Sequence, residues 1–472
     1  MRRLCILVLT LFSLVAAADM GDPGFIEYTA ETIAIDNVRL FDGTGAPAQL
    51  SQTVLIRGGR IAAIGTSLDV PADAIRIDGS GSTLMPGLVM VHEHLYYFSN
   101  SDDFEDPISN DAAAVLYLAG GVTTARTAGS FHPSIDIQLK KQIERGIRVG
   151  PDLDVSVYLM GNEPIFKETL GLGFENAEQV RKAVQHWASR GAGSIKLFMS
   201  LPPELAQAAS EEASALGLGI AGHLCATGAR QAVDFGLDTL EHGYFSAHDL
   251  VDSYKPGECT GESFKNLIEL LSSTEPGSPA IQGLQNLMLA KNVAITPTFA
   301  AVGGDLCDGY ELSDEALAVV TENVRRAYRS KLSSCHERVA SGEIEFNRAL
   351  DRALGRLALE YYRAGGRILA GSDAADVGLV PGFSNHRELE RFVHHGFTAV
   401  ETLVIATRSG AEQLGLLSDR GTVELGKRAD LLLVAGNPDQ DISDIRNVKV
   451  VFKAGIGYDP KLLRASVPDS IE

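Results

Sequence analysis

Met85-Pro86-Gly87-Leu88-Val89-Met90-Val91-His92-Glu93-His94 carries an apolar run out of a Pro-Gly pair and ends it on two histidines one residue apart. Side chains of an extended strand alternate between its faces, so His92 and His94 project the same way, roughly 7 Å apart along the chain. Two imidazoles so placed can share one metal ion. With 11 histidines in 472 residues, spacing alone proves little, and the rest of the chain has to decide.

Working outward, the chain alternates short apolar strands with helical segments, the pattern of parallel βαβ units. The strand candidates are Leu88 to Val91, Val122 to Arg126, Leu153 to Leu159, Ser194 to Phe198, Leu218 to Ala221, Thr239 to Leu240, Val293 to Thr296 and Ile368 to Ala370. Helical stretches such as Ala177 to Ser189, Pro203 to Leu216 and Arg387 to His394 fall between or after them. This predicts an α/β fold with a (β/α)₈ TIM barrel over residues 85–415; a doubly wound sheet is the competing architecture. The span from Asp249 to Ala364 adds helical stretches near Asp314 to Ala340 and Glu343 to Ala364, read as a decoration around the seventh strand. Short β-rich runs broken by Gly fill residues 31–84, and a similar texture returns over 416–465. The two ends are expected to pair into one small β-sandwich domain.

Four further polar residues end or interrupt apolar strands. Lys196 stands inside Ile195-Lys196-Leu197-Phe198, where an uncompensated ammonium costs several kcal/mol. It must be paired, neutralised or chemically altered. A neutral lysine can add carbon dioxide to become a carbamate, an anion able to bridge two cations. His223 follows Gly219-Ile220-Ala221-Gly222, His242 follows Leu240-Glu241, and Asp373 ends Ile368-Leu369-Ala370-Gly371-Ser372. Functional groups of a (β/α)₈ barrel come from the C-terminal ends of its strands. Here the first, fourth, fifth, sixth and eighth end in His-x-His, Lys, His, His and Asp, a joint pattern that independent accidents rarely produce.

A formal charge of −20 and a pI near 5.0 argue against a nucleic-acid partner and against an anionic membrane surface, because both demand clustered Lys and Arg. Met1-Arg2-Arg3, an apolar run from Leu4 to Ala17 and small residues before Asp19 have the layout of a secretory signal, with cleavage expected after Ala18. The run is short of the roughly 20 residues of a spanning helix, so a secreted or periplasmic protein is expected, free of the membrane once the signal is removed. Cys5 leaves with the signal. Of Cys225, Cys259, Cys307 and Cys335, the last three lie in the most irregular stretch and leave a disulfide open among them; no CxxC knuckle is present.

At this point the chain resembles the amidohydrolase superfamily. The resemblance rests on Pro86-Gly87 before His92 and His94, Gly121-Val122-Thr123-Thr124, Lys196, Glu241-His242-Gly243, Gly371-Ser372-Asp373 and the closing Gly426-Lys427-Arg428-Ala429-Asp430-Leu431. Within it the chain looks most like the imidazolonepropionase-related branch that includes dipeptidases acting on Xaa-Pro bonds. The resemblance implies two Zn²⁺ per chain, although the same ligands suit Mn²⁺ or Co²⁺. It implies that His92, His94 and Asp373 hold one ion and His223 and His242 the other. Carboxylated Lys196 then bridges them along with a hydroxide, and Asp373 carries the proton to the leaving nitrogen. The implied activity is hydrolysis of an amide C–N bond in a small-molecule substrate, a dipeptide or N-acyl amino acid.

Where this family often has an aromatic two positions past the fifth-strand histidine, this chain has Cys225, and Arg230 follows. Arg230 is thereby a candidate for a substrate carboxylate, with Tyr97 and Tyr244 as candidate pocket walls beside the ligands. Three alternatives stay open: a one-metal cyclic-amide hydrolase or deaminase, a lactonase, and a barrel kept as a metal-free scaffold. Homo-oligomerisation is left open as well.

Overall fold

Leu88–Glu93 forms a strand buried along its whole length, as an apolar run covered on both faces of a parallel sheet must be. It pairs in parallel with Val122–Thr127, which pairs with Asp152–Asp154. Ser156–Leu159 continues that third strand beyond Val155 and begins a second parallel series through Ser194–Leu197, Gly219–Gly222, Thr239–Glu241 and Ala294–Thr296. Bridges join what are otherwise sheets of three and five strands: Ser130 to Val157 at one seam, Ile295 to Ile368 at the other. The computed structural model describes residues 24–98, 108–109, 111–161, 172–302 and 306–471. The leader read at residues 1–18, with its cleavage point and Cys5, lies outside the described residues.

The eighth segment differs from expectation. Ile368–Ala370 makes a single bridge rather than a regular strand, yet it still links the ends of the series. Val91 N donates to Ala370 O at 2.8 Å and Asp373 N donates to His92 O at 3.0 Å. Gly371 explains the irregularity: a Cβ there would sit 2.3 Å from His92 Cβ and 2.7 Å from its backbone nitrogen. The chain thus passes too close over the first strand for any side chain, and Asp373, at φ 51°, turns away in the left-handed region. The pairing therefore runs through eight parallel segments and back to the first, in a TIM-barrel-type α/β arrangement. All C-terminal ends of the strands share one mouth.

The outer helices form where the sequence offers caps and a spaced apolar stripe. In Ala177–Arg190, Asn176 accepts from Gln179 N at the start, Gly191 at φ 113° ends the helix, and Val180 and Val184 face inward one turn apart. The expected stretch Asp314 to Ala340 is three helices, Asp314–Val319, Glu322–Ser333 and Cys335–Ala340. It breaks at Val320, whose extended backbone bridges Ile471 near the C-terminus. Two helices that the sequence reading left out, Gly261–Ser273 and Pro279–Ala290, precede the seventh strand.

Both chain ends build one nine-stranded sheet, with Leu431–Ala435 antiparallel to Ser82–Pro86 at its centre. Strand alternation gives that sheet two apolar faces: Leu431 and Leu433 join a separate small core, while Leu432 and Val434 pack into the main one.

The cysteines pair as Cys225–Cys259 and Cys307–Cys335, with Cα separations of 5.2 and 5.3 Å. The second is a pair among the three cysteines for which the sequence left a disulfide open, and the first adds Cys225, which lay outside that set. The loop that brings Cys259 back is tied down beside Cys225: Gly257 N and the Tyr254 hydroxyl both donate to Ala226 O.

At the opposite end of the strands from the mouth, Asp152 meets Arg420, Arg428 and Lys453, so the C-terminal segments lock onto the third strand. Burial alone would raise the Asp152 carboxyl, but Lys453 and Arg428 beside it hold it well below the ordinary 3.8. A carboxylate so depressed stabilises the fold fully above its unfolded pKa and loses that contribution as pH falls below about 4. Asp152→Asn is therefore expected to cost about 3 kcal/mol at neutral pH, because it removes the carboxylate shared by three cations and leaves the buried Lys453 without its ion pair. Urea unfolding should show the gap from wild type closing in acid; a gap that is constant down to pH 3 would reject the ion-pair account.

Candidate metal centre

Six side chains from five strand ends meet at the mouth. His92 ends the first strand and His94 follows it, their ring centres 5.6 Å apart. Lys196 sits within the fourth strand, 1% exposed. His223 follows the fifth, its N–H donating to Leu197 O at 3.0 Å. His242 follows the sixth in a left-handed turn at φ 58°, anchored by its N–H to Thr296 O at 2.8 Å. Gly243 continues that turn at φ 56°, a second positive φ in succession that a residue without Cβ takes at no steric cost. Asp373 ends the eighth segment.

The Asp373 carboxylate lies at the centre. Its Oδ1 is 2.8 Å from His94 Nε2 and 3.4 Å from His92 Nε2, and its Oδ2 is 3.9 Å from His242 Nδ1. One donor atom each from His92, His242 and Asp373 falls within 4.8 Å of the others. The His92 and His242 rings are 4.8 Å apart and the His223 and His242 rings 4.3 Å.

A second layer fixes which ring nitrogen each histidine presents. His92 Nδ1 is 2.6 Å from Glu241 Oε2, and Arg126 donates to the other Glu241 oxygen at 2.6 Å. That leaves His92 Nε2 for the centre, the arrangement by which a carboxylate orients a metal-bound imidazole. His242 Nδ1 is held by Thr298 Oγ1 at 2.8 Å. Glu93, between the two histidines, turns the other way, where it accepts from Ser372 N, Ser372 Oγ and Asn385 Nδ2 at 2.9, 2.6 and 2.8 Å. This clamp holds the turn that carries Asp373.

Protonation states follow from burial and charge. Burial, then Lys196, pushes His223 down to about 3, and burial, then His223, takes His242 well below its ordinary range. Burial alone would raise Glu241, but His92, Lys196 and Arg126 hold it at about 2. Asp373 is likewise kept well below the carboxylate range against its burial, chiefly by His92. Burial brings Lys196 down to about 8, opposed by Glu241 and Asp373. His92 goes the other way: against its burial and against Lys196, Glu241 and Asp373 raise it. The neutral imidazoles of His223 and His242 beside an ionised carboxylate are the forms that bind a cation.

The residues fit a metal ion on a further ground. His223 Nε2 is buried and has no hydrogen-bond partner among the described residues. A buried polar atom left unsatisfied costs about 1–3 kcal/mol, which a coordinated cation removes. Arg126, Glu93, Thr298 and Asn385 were not singled out from the sequence. Only Arg126 carried a signal, as a cation closing an apolar strand.

The three candidate substrate contacts each face groups outside the histidine cluster. Arg230 donates to Ala280 O at 3.2 Å and faces Asp249 at 3.9 Å, with 38% of its side chain exposed. The Tyr244 hydroxyl is buried and raised, beyond its burial, by Tyr361 and Glu360 of the helix Glu343–Arg363. Tyr97 is buried, and its hydroxyl is raised by burial and by Asp376, three residues past Asp373. Tyr96 reaches the histidines, its ring 4.5 Å from that of His94 and its hydroxyl 2.8 Å from that of Tyr158.

Comparison with known proteins agrees with this picture. The chain is 25% identical over 421 residues to an imidazolonepropionase of Bradyrhizobium diazoefficiens, covering 86% of this chain and 90% of that one. It spans between 14% and 37% of the length of four other curated relatives. Among solved structures it is similar to a putative prolidase from Bifidobacterium longum, 25% identical with a TM-score of 0.62, over 90% of this chain and 94% of that one. A Xaa-Pro dipeptidase with methionine in its active site shares the fold at 21% identity and a TM-score of 0.65, over 91% of this chain and 100% of that one. The amidohydrolase family model matches residues 83–456, from the strand Ser82–Pro86 to the strand Ile456–Tyr458 of the same sheet, and the chain belongs to the amidohydrolase family.

Proposed function

We propose that the chain is a metal-dependent hydrolase that cleaves the amide C–N bond of a small substrate, a dipeptide or an N-acyl amino acid. Lys196 carries this reading: a lysine buried in a strand close enough to Asp373, Glu241, His92, His94, His223 and His242 to act on their charge, with its amine brought down to about 8. Addition of carbon dioxide to the neutral amine forms an N–C bond and releases one proton, giving a carbamate whose charge suits two cations. His92, His94 and Asp373 would hold one divalent ion and His223 and His242 the second, with carboxylated Lys196 shared between them. Bound Zn²⁺ supplies a nucleophile from water at neutral pH and polarises the scissile carbonyl.

The protein's own groups do the remainder. Glu241 and Thr298 keep the imidazoles turned, and Glu93 keeps the Asp373 turn in place. Asp373, with 21% of its side chain exposed, accepts the proton of the attacking water and returns it to the leaving nitrogen. Two disulfides support the export read from residues 1–18, since such bonds persist in oxidising compartments.

Purified protein should contain two divalent ions per chain and hydrolyse members of a dipeptide and N-acyl amino-acid panel. Chelation should lower the rate by about 10³-fold or more, restored by Zn²⁺. Hydrolysis that survives complete metal removal ends the proposal. A one-ion reading, with a cyclic amide or an amine as substrate, is favoured by the tight grouping of His92, His242 and Asp373 alone. One ion per chain, with an unmodified Lys196 in the intact mass, would select it.

A further inference from the structure

His242 is held from the turn that follows the seventh strand, and that turn is strained. Thr298 Oγ1 meets His242 Nδ1 at 2.8 Å and donates its own proton to Pro297 O at 2.8 Å. With the hydroxyl proton used in this way, the Nδ1–H of His242 is the donor, and Nε2 keeps the lone pair that a cation takes. To stand there Thr298 adopts φ 51°. A β-branched residue is a genuine outlier in the left-handed region, and it persists only where its surroundings over-determine it. Ala301 N and Val302 N both donate to Thr298 O, at 3.0 and 2.9 Å, which closes the turn on itself.

The outside support comes from one helix, Phe383–His394, which carries none of the six candidate ligands. Its residues Asn385, Glu388 and Phe392, with His395 just past its end, repeat at three- and four-residue spacing and so share a face. Glu388 Oε2 accepts from Ala300 N at 2.6 Å. The Phe299 ring lies 5.1 Å from that of Phe392 and 4.4 Å from that of His395. One turn earlier, Asn385 supplies the donor in the clamp on the Asp373 turn. Glu388 is fully buried, and its other oxygen, Oε1, has no partner among the described residues. Burial raises its carboxyl to about 8, opposed by the Ala300 N–H, so the group is mostly neutral at neutral pH. A glutamine has the same length and the same accepting oxygen.

We propose that Glu388 is a positioning residue of the metal centre. By holding Ala300 N it keeps the Thr298 turn in its left-handed form, and Thr298 in turn keeps His242 Nε2 free for the ion. This rests on the reading of His242 as a ligand.

The test titrates the metal-free full-length chain with Zn²⁺ by calorimetry, in wild type, Glu388→Ala, Thr298→Ala and the double variant. Partners behind a metal-bound histidine are worth about 10- to 100-fold in affinity. Glu388→Ala should therefore weaken at least one Zn²⁺ site by about tenfold, and Thr298→Ala by at least as much. The double variant should bind no more weakly than Thr298→Ala alone, because Glu388 acts only through Thr298. Glu388→Gln should stay within about threefold of wild type, since it keeps the acceptor for Ala300 N. Losses that multiply in the double variant would mean a general loosening of the fold and overturn the proposal. A Glu388→Gln as weak as Glu388→Ala overturns it too. Should Glu388→Ala not fold, Glu388→Asp, whose arm is one methylene shorter, takes its place in the cycle with the same forecasts. Wild type that binds no Zn²⁺ refutes the metal-centre reading and this inference with it. Wild type that binds Zn²⁺ no better than Glu388→Ala refutes the inference alone.

Discussion

Asp373→Asn should lower kcat for amide hydrolysis by about 10³- to 10⁴-fold, the range expected when a group that both takes and returns a proton is removed. The substitution is chosen to isolate the proton. Asparagine has the same shape, and it tolerates the left-handed backbone that position 373 adopts at φ 51°. The clamp from Glu93 to Ser372 and Asn385 does not involve the side chain at 373. The melting temperature should therefore change little. An amide oxygen remains a ligand, though a weaker one, so metal content has to be measured alongside the rate. A variant that keeps its ions and loses less than tenfold in kcat would transfer the proton-carrying role to another group.

Lys196→Met should abolish the binding of at least one ion and lower the rate by about 10³-fold or more, since the loss of one ion removes several kcal/mol of transition-state stabilisation. Methionine nearly matches the lysine stem in length and suits a position that is 1% exposed. Two accounts of this lysine make opposite forecasts. As a plain cation near Asp373 and Glu241, its removal would make the site one positive charge poorer. That would strengthen, not weaken, its hold on divalent cations. As a carbamate it is itself a ligand, and its loss empties a position. Ion counts on the variant separate these accounts even before any substrate is found. Two ions at full occupancy in an inactive Lys196→Met would refute the bridging role.

Much of the arrangement around these residues was legible before any coordinates, for a reason specific to parallel barrels. Every strand delivers its last residue to the same mouth, so polar residues that end apolar runs can be read one strand at a time without knowing any distance between them. His92, Lys196, His223, His242 and Asp373 all announce themselves in this way. The layer behind them does not. Glu241 and Arg126 meet across the sheet 115 positions apart, and Glu93 reaches Ser372 over 279, separations that no local spacing encodes.

The eighth segment was read as a regular strand because its composition is apolar, whereas its path is set by the close approach at Gly371. Cys225 fell outside the irregular stretch that suggested a disulfide; its partner comes from a loop folded back onto Ala226. Arg230 follows a metal-ligand loop in sequence, but it sits on the helix Ala229–Asp234, whose first turn directs it to the helix Pro279–Ala290.

The missing side chain at position 371 also bears on the order in which the molecule is assembled. His92 is synthesised early and Asp373 late, and they are drawn together only when the last stretch of the ring settles against the first, with nothing but a hydrogen between them. A nascent or truncated chain that stops before this point holds four histidines and a lysine but has no carboxylate to centre them. Capture of the ion proposed for His92, His94 and Asp373 would thus wait until the ring has shut, and its loading would report that closure.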